Sequence, residues 1–379
     1  MTMQYVKVST PEADDALFVC GDVMTGRGID QILPHPCSPE LFEPYVGSAL
    51  DYVALAERAN GQIRRPVDFA YVWGDAIAEL ERVRPAARIA NLETAITCAD
   101  EPWPGKGIHY RMHPENTPCL TAAGIDCCVL ANNHVLDWGY AGLADTLDML
   151  RRHGRSTAGA GRDIHEALAH ALIELEGDRR VLVFALGMES AGVPREWAAT
   201  DSRAGVALMT DLSSSTVARI VQRAQAVKRP GDIVVLSVHW GDNWGYRIPE
   251  AHRTFAHRLI DAGWVDLVHG HSSHHPVGIE VYGGRPILYG CGDFLNDYEG
   301  IGGEERYRPD LTLMYFPSFD RSGRLMRFLA RPMRICRFRL ERTTEQDHRW
   351  LARMLTREGG ALGTRAEVQP DGMLAVRWQ

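Results

Sequence analysis

Short apolar runs alternate along the chain with longer segments whose apolar residues recur at helical spacing. Residues 16–20 (ALFVC), 89–92 (IANL), 127–130 (CCVL), 181–186 (VLVFAL), 233–238 (IVVLSV), 265–268 (VDLV) and 286–289 (PILY) read as strands. Between them, residues 141–152 (AGLADTLDMLRR) and 252–262 (HRTFAHRLIDA) read as amphipathic helices. Such alternation predicts an α/β fold with much parallel sheet. Residues 22–80 separate the first two strands and hold a Pro-rich middle and a helical piece at 49–59, an insertion expected over the site. Beyond residue 310 the alternation stops. Residues 311–341 are strand-rich, 343–358 helical, and 373–378 a closing strand, while 299–308 (EGIGGEERYR) is expected to be a mobile loop.

The polar residues of this pattern are not scattered. Asp22, Glu93, Asn133, His134, His239, His271 and Asp293 all sit at or just past the C-terminal end of a predicted strand. In open α/β sheets that edge is where ligands bind, and strand ends distant in sequence converge there. One stretch, VHGHSSHHPVG at 268–278, holds four histidines: His269, His271, His274 and His275. Mixed Asp, Glu, Asn and His donors form a fairly hard ligand set, suited to Zn²⁺, Mn²⁺ or Fe²⁺, and to Ca²⁺ or Mg²⁺ where oxygens dominate. His269, inside the strand end, reads as a hydrogen-bonded core histidine. Asp137 could orient His134 or cap the helix that follows. His109 and His113 read as solvated loop residues.

Composition narrows the classes. The 379 residues are 45% hydrophobic and 24% charged, enough for a full core in one domain, 1–379, with its centre at 17–298 and a strand-rich extension at 311–379. A formal charge of -8 argues against a nucleic-acid partner. Arg327, Arg331, Arg334, Arg337 and Arg339 alternate with apolar residues and read as the wet face of a strand. The start, MTMQYVKVSTPEADD, is too polar for a signal peptide, and no apolar run of about 18 residues offers a membrane span. The 8 cysteines include no CxxC, so they read as reduced, mostly structural thiols of a cytoplasmic protein.

GDVMTGRG (21–28), NLETAIT (91–97), LANNHVLDWG (130–139), VHWGDNWG (238–245) and GHSSHHP (270–276) together resemble the CapA-type proteins, named for poly-γ-glutamate capsule synthesis. The resemblance covers residues 17–298 and implies the calcineurin-like metallophosphoesterase fold, two packed mixed β-sheets flanked by helices. It implies metal ligation by Asp22, Glu93, Asn133, His239, His271 and His275, and acid–base roles for His134, Asp22, His274, Asp293 and Asp137. Two positions depart from the superfamily pattern. Met24 stands where its DxH motif has histidine, and Ser272 and Ser273 stretch its GHxH spacing. Both weaken one of two metal positions, so one or two divalent ions, Ca²⁺, Mn²⁺ or similar, are expected.

The resemblance extends to a CapA-like branch that epimerises lasso-peptide precursors. It implies a metal-dependent peptide epimerase that inverts the Cα of a residue, the C-terminal one, of a ribosomal precursor peptide. A metal-dependent phosphoesterase or amide hydrolase is the alternative, and a non-catalytic capsule-assembly protein a third. Arg27, Lys106 and Arg111 could grip a carboxylate or phosphate. Trp103, Trp138, Trp240, Trp244 and Tyr246 could wall an aromatic pocket or belong to the core. The expected partner is a peptide, with no nucleic acid and no membrane; the oligomeric state is left open.

Overall fold

In the computed structural model, which describes residues 15–379, the chain builds two mixed sheets. The N-terminal segment behind the signal-peptide reading lies, but for Asp15, outside the described residues. The first sheet runs in the order Thr364–Val368, Leu374–Trp378, Leu325–Ile335, Leu311–Phe319, Asp15–Val23, Ala87–Leu92, Cys127–Val129, Ser156–Ala158. From Asp15–Val23 onward the neighbours are parallel; the C-terminal strands on the other side pair antiparallel. The second sheet runs Ile279–Tyr282, Arg285–Leu288, Leu267–His271, Ile233–His239, Arg180–Gly187, Ala171–Glu174. Its four inner strands are parallel, and both edges are antiparallel.

The two-residue period of each strand sorts the apolar side chains between layers. Leu17, Val19, Ile89 and Val129 of the first sheet meet Val181, Val183, Val235 and Leu267 of the second in one buried layer. Their neighbours point outward. Phe18, Cys20 and Leu92 pack beneath the insertion and the helix Gly139–Arg152. Leu182, Leu236 and Val238 pack beneath the helices Ser214–Val227 and Glu250–Asp261. Both faces of each central strand are thus covered, which is why these strands read as continuous apolar runs.

The expected elements are present with shifted ends. The insertion carries a helix at Ala49–Asn60, and the C-terminal helix is Glu345–Gly359, started by a capping box between Thr344 and Asp347. Three readings change. Asp293 does not end a strand but opens a short one, Asp293–Leu295, that pairs parallel to Asp15–Val23. The 299–308 stretch contains a 3₁₀ turn, Glu305–Tyr307, whose Tyr307 is buried against His275. Arg331 is not on a wet face: it is buried, and its Nε donates to Glu79 Oε2 of the Asp75–Val83 helix at 3.1 Å. All eight cysteines are free thiols, and no helix among the described residues is long and apolar enough to cross a membrane.

The Glu79 carboxylate also takes Arg82 and Arg342, so three guanidinium groups converge on one buried acid. Glu79→Leu is therefore expected to cost about 3–5 kcal/mol in urea unfolding, by stranding a buried Arg331. The double change Glu79→Leu with Arg331→Met should recover much of that loss, because both charges leave together.

Candidate metal centre

Strand register assembles the site. In the first sheet Asp22 lies level with Asn91 on one side and Asp293 on the other. In the second, His239 lies level with His271, and Ser237 with His269. Neighbouring backbone segments approach closely at this rim, and glycine permits it. A Cβ on Gly21 would fall 1.8 Å from the Gly292 carbonyl oxygen, and one on Gly270 2.5 Å from that of Leu288. After His271 the chain turns through Ser272 at φ +106°, an unfavourable conformation for a side-chain-bearing residue. That turn aims the Ser272 N–H at Asp22 Oδ2, 3.2 Å away.

Two overlapping groups of donors result. Asp22, Glu93 and Asp293 offer carboxylate oxygens within 4.8 Å of one another, and Asp22, His239 and His271 do the same with one oxygen and two ring nitrogens. All five residues are buried. Asn133 Oδ1 lies 3.1 Å from His239 Nε2, and Glu93 Oε1 lies 3.8 Å from it. The facing Nδ1 atoms of His239 and His271 are 2.7 Å apart. Burial, then the neighbouring carboxylates, pushes the Asp22 and Glu93 carboxyls well up, while burial drives His239 and His271 well below the usual imidazole range. Three crowded carboxyls, two of them, Asp22 and Glu93, pushed up by burial, beside two neutral imidazoles, are the donor set that a divalent cation satisfies.

A His–carboxylate pair stands at each end of this cluster. At the Glu93 end, His134 Nδ1 is 2.7 Å from Asp137 Oδ2, and His134 Nε2 is 3.9 Å from Glu93 Oε1. Lys106 Nζ donates to Asp137 Oδ1 at 2.5 Å and lies 3.0 Å from His134 Nδ1. Burial lowers His134 to about 4 against the pull of Asp137. At the other end, His274 Nδ1 lies 2.9 Å from Asp293 Oδ1; against the opposing effect of burial, Asp293 holds this imidazole above its ordinary value.

Two tyrosines join the ends. Tyr110 stacks on His134 with centroids 3.9 Å apart, and its N–H donates to Asp137. Tyr298 abuts His274 edge-on at 5.4 Å, and the two phenol oxygens are 2.6 Å apart. These tyrosines escaped the sequence reading, as did Asn91 and Asn132. Asn91 donates to Asp22 Oδ1 at 2.7 Å, and Asn132 donates to Asn91 Oδ1 at 3.0 Å. The asparagines lie inside the quoted NLE and ANNH motifs, which was their only signal. The tyrosines stand in loops with none.

Several expected positions fall elsewhere. His275 turns away: its Nδ1 faces the Pro276 carbonyl, its Nε2 accepts from Gly245 N, and its ring stacks on Tyr307. Arg27 is no free grip. It is buried, bonded bidentately to Asp297 and again to Glu43, with its guanidinium 3.8 Å from the Tyr52 ring. Lys106 is committed to Asp137, which orients His134 and caps no helix. Arg111 lies over Trp138 and lines, with Cys37 and Cys98, a separate cavity of about 500 Å³. Trp240 is core, bonded to the Tyr289 carbonyl, while Trp244 stands 5.2 Å from His274. His109 is buried beside Trp138 rather than solvated. His269 is buried, with its nitrogens 2.8 Å from Cys20 O and 3.1 Å from Ser237 Oγ. Met24 Sδ accepts from Gly26 N at 3.2 Å within its own turn.

Comparison with known proteins gives the chain relatives. The chain is 49% identical over 94% of its own length, and 94% of the relative's, to a protein of Mycobacterium tuberculosis named as a probable polyglutamine synthesis accessory protein. It is 26% identical to the PGA biosynthesis protein CapA of Bacillus subtilis, across 84% of this chain and 72% of the relative. Among solved structures, a phosphatase from Mycoplasma pneumoniae overlaps 85% of this chain and 94% of its own, at 10% identity and a TM-score of 0.46. The family model described as bacterial capsule synthesis protein PGA_cap matches residues 16–298, and the chain belongs to that family.

Proposed function

We propose that this chain is a metal-dependent acid–base enzyme acting on an amide-linked chain, and that its reaction is inversion at an α-carbon. The observation that carries the reading is the pair of His–carboxylate dyads, His134–Asp137 and His274–Asp293, at opposite ends of one buried donor cluster. Inversion needs one group to remove the Cα proton and a second to return a proton to the other face. Asp137 and Asp293 each hold one ring nitrogen of their histidine, which leaves the other nitrogen for the substrate. Asp22, Glu93, Asp293, His239 and His271, with Asn133, are the residues that would hold the cation. When bound it supplies positive charge against the enolate-like charge that develops. The substrate class is a peptide or glutamyl chain, in keeping with the relatives' names; the C-terminal residue of a ribosomal lasso precursor is its sharpest form.

Hydrolysis of an amide or phosphoester is the second reading. It is favoured by His134 standing 3.9 Å from Glu93, since one proton donor beside a cation site is enough to assist a leaving group. The accessory role in the relatives' names requires no turnover at all.

One experiment separates the three. Candidate peptides and a polyglutamyl chain are incubated with the metal-loaded protein in D₂O and analysed by mass spectrometry. Epimerisation is expected to add one deuteron at a single Cα. His134→Ala and His274→Ala should each slow uptake about 10²–10⁴-fold. New chain ends without Cα deuterium, or turnover of p-nitrophenyl phosphate in a parallel assay, would establish hydrolysis instead, and none of these changes with metal retained would leave binding alone.

Metal binding has its own readout. Mn²⁺ or Ca²⁺ at a hundredfold excess over Kd is expected to stabilise the fold by about 2.7 kcal/mol, seen as a rise in Tm that EDTA reverses. Asp22→Asn should abolish that rise, since Asp22 belongs to both donor groups. An unchanged rise in the variant would remove Asp22 from the ligand set.

A further inference from the structure

On the outer face of the second sheet, away from the donor cluster, the covering helix Ser214–Val227 does not close fully onto the strands. A cavity of about 230 Å³ lies beneath it. Phe184 and Leu186 of one strand and Leu236 of the next form its floor, and Ile164, Leu208 and Ile220 its walls. Protein interiors are ordinarily packed to crystal-like density, and a dry apolar void of about 150 Å³ is already enough to take up a benzene molecule. Water is a poor occupant here, because it needs two to four polar partners. The lining is largely aliphatic, and the Thr216 hydroxyl is spent on Asp211 Oδ1 at 2.7 Å.

The mouth differs in character from the floor. Arg219 and Arg223 line it, one helical turn apart and both exposed. Neither has a carboxylate within ion-pair distance among the described residues; Arg219 reaches only the Thr216 hydroxyl, at 2.9 Å. The nearby Asp211 is held by Ser213 N and Thr216 Oγ1. An aliphatic pocket under two guanidinium groups that form no ion pair fits one kind of molecule, an alkyl chain ending in an anion.

We propose that this cavity is a binding site for a free medium-chain fatty acid. Its chain lies against Phe184, Leu186 and Leu236, and its carboxylate meets Arg219 and Arg223. The site does not depend on the reaction proposed above. Leu182, Leu236 and Val238 face this outer layer, while Val183 and Val235 face the layer between the sheets.

The test is isothermal titration of the full chain with decanoate below its micellar concentration. Saturable one-to-one binding is expected. Arg219→Ala with Arg223→Ala should weaken it about tenfold, as should replacing decanoate by decanol, since each removes the charge-assisted contacts. Leu208→Phe, which fills a half-buried wall, should abolish binding and raise Tm. Circular dichroism checks that each variant folds. Absence of saturable binding, or binding that neither the arginine pair nor Leu208→Phe alters, overturns the proposal. So does attachment to phosphatidylglycerol vesicles with no affinity for decanoate in solution, which would mark the arginines as a membrane-surface patch.

Discussion

The structure turns on the burial of three carboxylates side by side. Grouping Asp22, Glu93 and Asp293 in a buried site calls for a compensating positive charge, and among the described residues no lysine or arginine contacts all three. Three parallel strand pairs put them there, the first sheet's register shifting at Asp22 itself, together with the adjacent rings of His239 and His271. The surrounding hydrogen bonds are arranged around this constraint. Asn91 and the Ser272 N–H donate to Asp22, and Asn296 donates to Asp293, so two of the three acids are held as acceptors.

That constraint also explains the features of the rim that cost stability. Gly21 and Gly270 sit where any side chain would collide with a neighbouring backbone, and Ser272 adopts a positive φ. These are local sacrifices of backbone freedom where neighbouring segments of each sheet run close together at the rim. The packing of the rim extends outward through the dyads. Tyr110 and Tyr298 hold the two imidazoles in fixed relation, and the Arg27 cage packs behind the phenols with Asp297 and Glu43. Arg27 therefore supports the wall of the site from behind, which accounts for its full burial.

The membership of the family and the chemistry of the rim bear on different questions. Family membership rests on residues 16–298, and the strands beyond them extend the first sheet through Leu311–Phe319, against Asp15–Val23. That extension supplies Arg331 to the buried Glu79 and lays the Glu345–Gly359 helix against the layer between the sheets. It carries no residue of the donor cluster.

The sequence by itself determined that the polar residues stand at strand ends, since a residue placed just after an apolar run must emerge there. It therefore located Asp22, Glu93, Asn133, His239 and His271 without coordinates, and the departure at Met24 was plain from the motif alone. What tertiary structure decided was direction. His274 and His275 are neighbours with identical chemistry, and only the turn at Ser272 and the ring of Tyr307 send one to Asp293 and the other to Pro276. Arg27 looked available because its bidentate partner, Asp297, is 270 positions away and no local pattern pairs the two. Tyr110 and Tyr298 meet across 188 positions, and His109 is buried by a loop packing that no local pattern encodes. Periodicity reports which face of an element is covered, but a side chain's partner is chosen by contacts between distant segments, and those exist only once the sheets have packed.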